Sequence, residues 1–168
     1  MQGDKISNVQ EALRIFVEQI QGPEESVGLI EFYTYVDVLV PLDKLTNNRQ
    51  DVLRAIDGLK ADGETALLDG VYKAYQGLQA LNDTERINAI VVMTDGRENY
   101  SDVSLKHLED YMREGNKSGV PVIVFAIAYG KDADYGTLRV LAEATDGQVY
   151  EGTLETIRQL YKILSTYF

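Results

Sequence analysis

The sequence predicts an α/β fold: a doubly wound, mostly parallel sheet with helices on both faces and one antiparallel edge strand. Two apolar runs carry the first part of that prediction. Residues 89–93 (AIVVM) and 120–128 (VPVIVFAIA) are too apolar for surface strands, so they read as parallel strands covered on both faces. Amphipathic helical patterns alternate with the strands, the order that layered α/β sheets follow. The third observation is the opening. The first patterned segment is a helix, whereas doubly wound domains usually open on a strand that often lies mid-sheet. The first central strand is therefore expected to be missing.

Each element has a local reason. Ile6, Val9, Leu13, Phe16, Val17 and Ile20 fall at helical spacing, and Gly22-Pro23 ends the run. Residues 27–33 form a strand, Thr34-Tyr35 a tight connection, and residues 36–40 a second strand that stops at Pro41. The two read as an antiparallel hairpin. Asn47 or Asn48 can cap a helix carrying Val52, Leu53, Ile56 and Leu59. Residues 61–65 (ADGET) have turn chemistry. Leu67, Leu68, Val71, Tyr75, Leu78 and Leu81 give a long helix with a broad apolar stripe, and the strand to Thr94 follows. Ser104 caps a helix with Leu105, Leu108, Tyr111 and Met112 inward, closed by Gly115 and Gly119. Residues 135–145 are helical through Leu138, Leu141 and Ala142, and residues 148–150 form a short edge strand. Thr153 caps a last helix carrying Ile157, Leu160, Tyr161 and Leu164. The whole is a single domain over residues 1–168, without linker, repeat or low-complexity segment. The strands ending at Asp95 and Ala128 should be adjacent and parallel, joined by a right-handed crossover. The hairpin should lie on the other side, with residues 36–40 at one edge.

Composition removes several classes of function. With 168 residues the chain can bury about 70 % of its unfolded surface without covalent staples. The absence of cysteine excludes disulfides, thiolate metal sites and a cysteine nucleophile. The single histidine, His107, argues against a His-rich zinc site or a Ser-His-Asp hydrolase, and its polar neighbours place it on a solvated helix face. A net charge of −11 repels phosphate backbones and anionic lipid, so neither nucleic acid nor a membrane surface is an expected partner. No apolar run approaches the roughly 18 residues that span a bilayer. The opening MQGDK is not followed by the apolar stretch of a signal peptide, so any targeting signal is expected outside this chain. That leaves the compartment open, including an extracytoplasmic or membrane-tethered parent.

Two segments carry the candidate chemistry. Asp95, in MTDGREN, follows a buried strand, and open α/β sheets place their ligands at the carboxyl ends of strands. Gly96 lets the chain turn away there. The structural alternative is a solvated Asp-Gly turn. Thr65, in DGETALLDG, offers a hydroxyl at a loop-to-helix junction, with a helix N-cap as its structural alternative. Together, a threonine hydroxyl and a strand-end carboxylate suit a hard cation such as Mg²⁺. Asp62, Glu64, Asp69 and Glu98 could hold a cation loosely, or serve only as solvated loop charge. Tyrosine is abundant, with eleven residues against four phenylalanines and no tryptophan. Tyr100 and Tyr129, on loops at the carboxyl ends of strands, join Glu64 and Glu98 as candidate ligand-contacting rim residues.

These two motifs, in this order and with these flanks, resemble the von Willebrand factor type A (integrin I-like) domain, and the resemblance covers essentially the whole chain. It implies a metal-ion-dependent adhesion site built from three loops. The first, Asp-x-Ser-x-Ser, follows the first strand and supplies two hydroxyls and a carboxylate behind them. The second supplies a threonine, matched by Thr65. The third supplies an aspartate, generally through water, matched by Asp95. A partner's carboxylate completes the shell. The departure is the first loop, because no Asp-x-Ser-x-Ser stands near the start, and Ser7 falls inside the helix. In many bacterial members that loop runs on as Ser-Gly-Ser-Met followed by polar residues, and MQGDKI fits that continuation. The expectation is an N-terminally incomplete domain that begins within the first loop.

The expected function is therefore binding rather than catalysis: Mg²⁺, or Mn²⁺ or Ca²⁺, recognising an exposed acidic residue on a protein partner. With two of the ligands present, this chain should hold no ion tightly. The alternatives are a scaffolding domain with a degenerate metal site, or a metal-dependent hydrolase or phosphoryl-transfer enzyme. Against the enzyme stand the absence of an Asp-x-Asp pair, of a GxxxxGK[ST] phosphate loop and of a base beside a nucleophile. The strands flanking the missing one should pair directly, or borrow a strand from another molecule by self-association. In the first case the opening helix should be the least well packed.

Overall fold

The structure, a computed structural model, describes residues 4–60, 63–130, 132–153, 155, 156 and 159. In chain order the elements are α1 (Asp4–Gln19), β1 (Ser26–Phe32), β2 (Val36–Lys44), α2 (Leu45–Gly58), α3 (Leu67–Leu81), β3 (Asn88–Thr94), α4 (Leu105–Ser118), β4 (Val122–Ala128), α5 (Tyr135–Glu143) and β5 (Val149–Glu151). The apolar residues expected in a last helix lie outside the described residues, although Thr153 Oγ1 does accept from Thr156 N at 3.0 Å. Among the described residues, no helix is long and apolar enough to cross a membrane.

β3 and β4 pair in parallel from Asn88↔Val122 to Thr94↔Ala128, and β5 adds in parallel beyond β4. The alternation of faces explains the continuous apolar runs. Ile90 and Val92, with Val122, Val124, Ala126 and Ala128, pack on α3, α4 and α5. The residues between them, Ala89, Val91, Met93, Phe125 and Ile127, pack on Val9, Ala12, Leu13 and Phe16 of α1. Both faces are covered, as continuous apolar strands require.

β1 and β2 form a separate antiparallel pair. β2 runs past Pro41 to Lys44, further than the proline suggested, because β2 is the outer strand and an outer edge tolerates a missing N–H. Two register shifts, with Pro41, Asp37 and Asp43, break up that exposed edge. α2 starts at Leu45, not at an asparagine cap. Asn48 is instead buried inside the helix and donates to the carbonyls of Val27 at 2.7 Å and Pro41 at 3.4 Å. The next residue, Arg49, donates to Val17 O and Ile20 O, each at 2.6 Å, closing the carboxyl end of α1.

β1 and β3 do not pair, so the sheet stands as two parts. Direct closure is thus not what the structure shows. The two parts are nevertheless tied together by helices that pack on both. α1 contributes Val9 and Ala12 to one side of the gap and Val17 to the other. On the opposite face Phe32 of β1 joins the cluster that α3 forms with β3. The strands also point the same way. Near their starts, Arg86 Nη1 donates to Glu24 O at 3.2 Å. At their ends, Ala66 N donates to Tyr33 O at 2.8 Å and Asn99 N to Thr65 O at 3.2 Å. α1 is well packed, with Val9, Ala12 and Val17 buried, because it bridges both halves; looser packing is expected only with direct closure.

Candidate functional site

Loop 63–66 and loop 95–103 meet at the carboxyl end of β3. Gly96 packs close against Thr65: a Cβ there would lie 2.8 Å from the Thr65 hydroxyl, so only glycine leaves that oxygen its place. Asp95 is half-buried on the same turn, directly after Thr94. The structure therefore brings Thr65 and the Asp95-Gly96 turn together.

The helix-cap alternative for Thr65 does not hold. The residue at the cap of α3 is Ala66, and it supplies no side-chain bond. The cap comes from across the chain. Glu98 Oε2 accepts from Leu68 N at 3.0 Å, and Ser101 Oγ accepts from Leu68 N at 3.0 Å and Asp69 N at 3.2 Å. Glu98 also accepts from Tyr100 N and Ser101 N. Asp69 returns the favour, accepting from Asp102 N and Val103 N at 3.0 Å each. A carboxylate at a helix N-terminus satisfies orphan amides and complements the dipole. Nothing in the local sequence announces such a long-range cap, so Glu98 and Asp69 read there as solvated loop charge or, at most, loose cation ligands.

The rim residues separate into three kinds. Tyr100 is 51 % exposed and lies on the rim loop as expected. Glu64 is exposed, with Asn99 Nδ2 donating to its Oε2 at 2.5 Å. Tyr129 differs from expectation: it is only 6 % exposed, because β4 turns it toward α1, where it packs with Met93, Phe125 and Ile127. Burial pushes its hydroxyl up to about 12, and that oxygen has no hydrogen-bond partner among the described residues. Glu98 is likewise turned inward onto α3. Asp62 lies outside the described residues. His107 is exposed as expected and stacks on Tyr111 at 6.4 Å.

Beside the rim runs a shallow groove of about 420 Å³, lined by Thr34, Tyr35, Ala66, Asp69, Tyr72 and Asp102 among others. For a cation, the donor set is chemically apt: one neutral hydroxyl and one carboxylate, both oxygen. It supplies two of the roughly six oxygens that such a cation takes. Among the described residues no group of three or more His, Cys, Asp or Glu side chains could hold a metal ion.

Fold and loop geometry define an α/β module in which two loops meet at the strand ends, and comparison with known proteins names the family. Residues 1–163 match the von Willebrand factor type A domain, and the chain belongs to that family. It is 22 % identical over 165 residues to the uncharacterised protein YfbK of Escherichia coli K12, covering 97 % of this chain and 28 % of that protein. It is 25 % identical over 179 residues to a UPF0353 protein of Mycolicibacterium gilvum, covering 94 % and 52 %. The chain thus spans about half or less of the length of these relatives.

Solved structures share the fold. A von Willebrand factor type A protein from Catenulispora acidiphila superposes with a TM-score of 0.78 at 17 % identity, over 96 % of this chain and 37 % of that one. An aerotolerance-related membrane protein from Bacteroides fragilis gives 0.73 at 12 %, over 97 % and 87 %. Proximal thread matrix protein 1 from the mussel byssus, with a zinc-occupied MIDAS motif, gives 0.70 at 16 %, over 96 % and 42 %.

Proposed function

We propose that this chain is one protein-binding domain whose rim holds half of a divalent-cation site, Thr65 and Asp95, and that it does no covalent chemistry. The observation that carries the reading is the Thr65 hydroxyl set against Gly96 and relieved of capping duty by Glu98 and Ser101. Thr65 would give the cation a neutral oxygen and Asp95 a negative charge. A bound Mg²⁺ or Mn²⁺ would supply an electrophilic point that an acidic side chain of a protein partner completes. Tyr100 and the groove walls Tyr35 and Tyr72 would flank that contact. The likeness to a byssus protein with an occupied metal motif supports the fold's capacity for such a site. The remaining ligands would come from a loop at the end of a strand seated between β1 and β3, whose facing edges run the same way.

The test is an extended chain that supplies an apolar strand ending in Asp-x-Ser-x-Ser. It should melt well above the present chain and gain a further increment with Mg²⁺. The present chain should show no low-micromolar Mg²⁺ affinity by calorimetry. An extended chain with an unchanged melting temperature, with or without Mg²⁺, would overturn the reading. The sparse donor set also supports a second reading, a scaffolding domain with a degenerate site. In that case the strand would stabilise the chain and Mg²⁺ would add nothing.

A further inference from the structure

A ligand hydroxyl is useful to a cation only if its loop is fixed relative to the other ligand. Loop 63–66 lies outside any helix or strand, with Gly63 at a φ of 77°. Its ends are tied to the β1–β2 turn by Glu64 N donating to Thr34 Oγ1 at 3.3 Å and Ala66 N to Tyr33 O at 2.8 Å, neither of which involves Thr65 itself. What holds Thr65 is Asn99, from the loop that also bears Asp95. Asn99 N donates to Thr65 O at 3.2 Å, and Asn99 Oδ1 accepts from Thr65 N at 2.8 Å. Both backbone polar groups of Thr65 are therefore clamped by one residue. The other end of the same amide, Nδ2, donates to Glu64 Oε2 at 2.5 Å. An amide is the side chain that can do both, because it presents an acceptor to one neighbour and a donor to the next. A carboxylate would satisfy Thr65 N and repel Glu64.

We propose that Asn99 is the positioning residue of the cation half-site. It locks the Thr65 loop to the Asp95 loop and occupies the Glu64 carboxylate with a hydrogen bond. The proposal rests on the cation reading above and adds to it which residue sets the geometry and why it is an amide. Asn99 touches neither the cation nor a partner. It acts through Thr65 and Glu64.

The variants Asn99→Ala and Asn99→Asp test it in the chain as it stands, with Mn²⁺ as probe and paramagnetic broadening of backbone amide signals as readout. In the parent chain, broadening centres on Thr65 and Gly96, and Thr65→Ala removes it. Asn99→Ala weakens it about tenfold, the lower end of what groups behind a metal ligand contribute. Asn99→Asp strengthens it, because the freed Glu64 and the new charge both attract the ion. A purely structural asparagine would move the two variants in the same direction, in step with melting temperature. A second, metal-free measurement reads the positioning alone. Hydrogen exchange at the Thr65 amide should accelerate in Asn99→Ala and stay slow in Asn99→Asp. Unchanged exchange in Asn99→Ala, or equal Mn²⁺ broadening in all three chains, overturns the positioning role. Broadening that never centres on the rim in the parent chain overturns the cation reading, and the proposal with it.

Discussion

Replacing Glu98 with alanine should destabilise the protein even though the residue sits on a surface loop. Its carboxylate accepts from Leu68 N, Tyr100 N, Ser101 N and Ser101 Oγ, all between 2.8 and 3.0 Å. Bonds to a charged acceptor contribute about 1.5–3 kcal/mol each when measured singly. They do not add here, because the group is half-buried and water can replace part of what is lost. One helix cap, about 1 kcal/mol, and one loop bond of similar size give about 2 kcal/mol. Opposing this, the chain carries a net charge of −11, and removing one negative charge relieves some repulsion. At an exposed loop that relief is a few tenths of a kcal/mol, in line with surface charge pairs of about 0–1 kcal/mol, so the cap dominates. In a domain of this size 2 kcal/mol lowers the melting temperature by roughly 4–8 °C. Glu98→Gln keeps one accepting oxygen but turns an NH₂ toward the donors that the other oxygen serves, so it loses part of these bonds together with the charge and should cost on the order of 1–2 kcal/mol. Urea unfolding followed by circular dichroism reads the stability, and hydrogen exchange at Leu68 and Asp69 reads the cap. If Glu98→Ala melts within about 1 °C of the parent, or if those two amides exchange no faster, the long-range cap is wrong.

Gly147→Ala should be among the most damaging single changes, about 3 kcal/mol or more, because a Cβ there would press into the backbone carbonyl of Val124. A urea midpoint indistinguishable from the parent would contradict that packing. At high pH, Tyr75 and Tyr129 should weaken the fold, since burial pushes both hydroxyls up to about 12. Tyrosine in an unfolded chain ionises near 10, so between roughly pH 10 and 12 the unfolded state loses protons that the folded state keeps. Stability is intact below about pH 10 and falls through that window by on the order of 2 kcal/mol per tyrosine. Ultraviolet titration of the phenolates should show two late ionisations that coincide with unfolding, and two ordinary ones would refute it.

Where the sequence spoke clearly, it did so through patterns that burial enforces. The runs around Val91 and Phe125 had to be covered on both faces, and they pair in parallel as their composition required. Ser104 was readable as a cap because its bond to His107 N is local, at 3.3 Å. Thr65 and Asp95 could be placed on one rim because strand ends and loop order leave them there. What could not be read were roles decided by distant partners. Asn48 looks like a helix cap and is a buried tie to β1 and β2. Glu98 looks like loose charge and caps a helix thirty residues away. Tyr129 looks like a loop residue and is drawn under α1 by the pleat of β4, whose odd-numbered residues face that way. The bridging of the gap by α1 and α3 was equally hidden, since it depends on helices packing on both halves of the sheet at once.

The central claim is that Thr65 and Asp95 act on one cation. A double-mutant cycle tests it most directly, with Mn²⁺ broadening of the Gly96 amide measured in the parent, Thr65→Ala, Asp95→Ala and the double variant. If the two residues share an ion, either single change removes most of the effect and the double change adds little. If the single changes leave the broadening intact, or their effects simply add, the two side chains do not form a site.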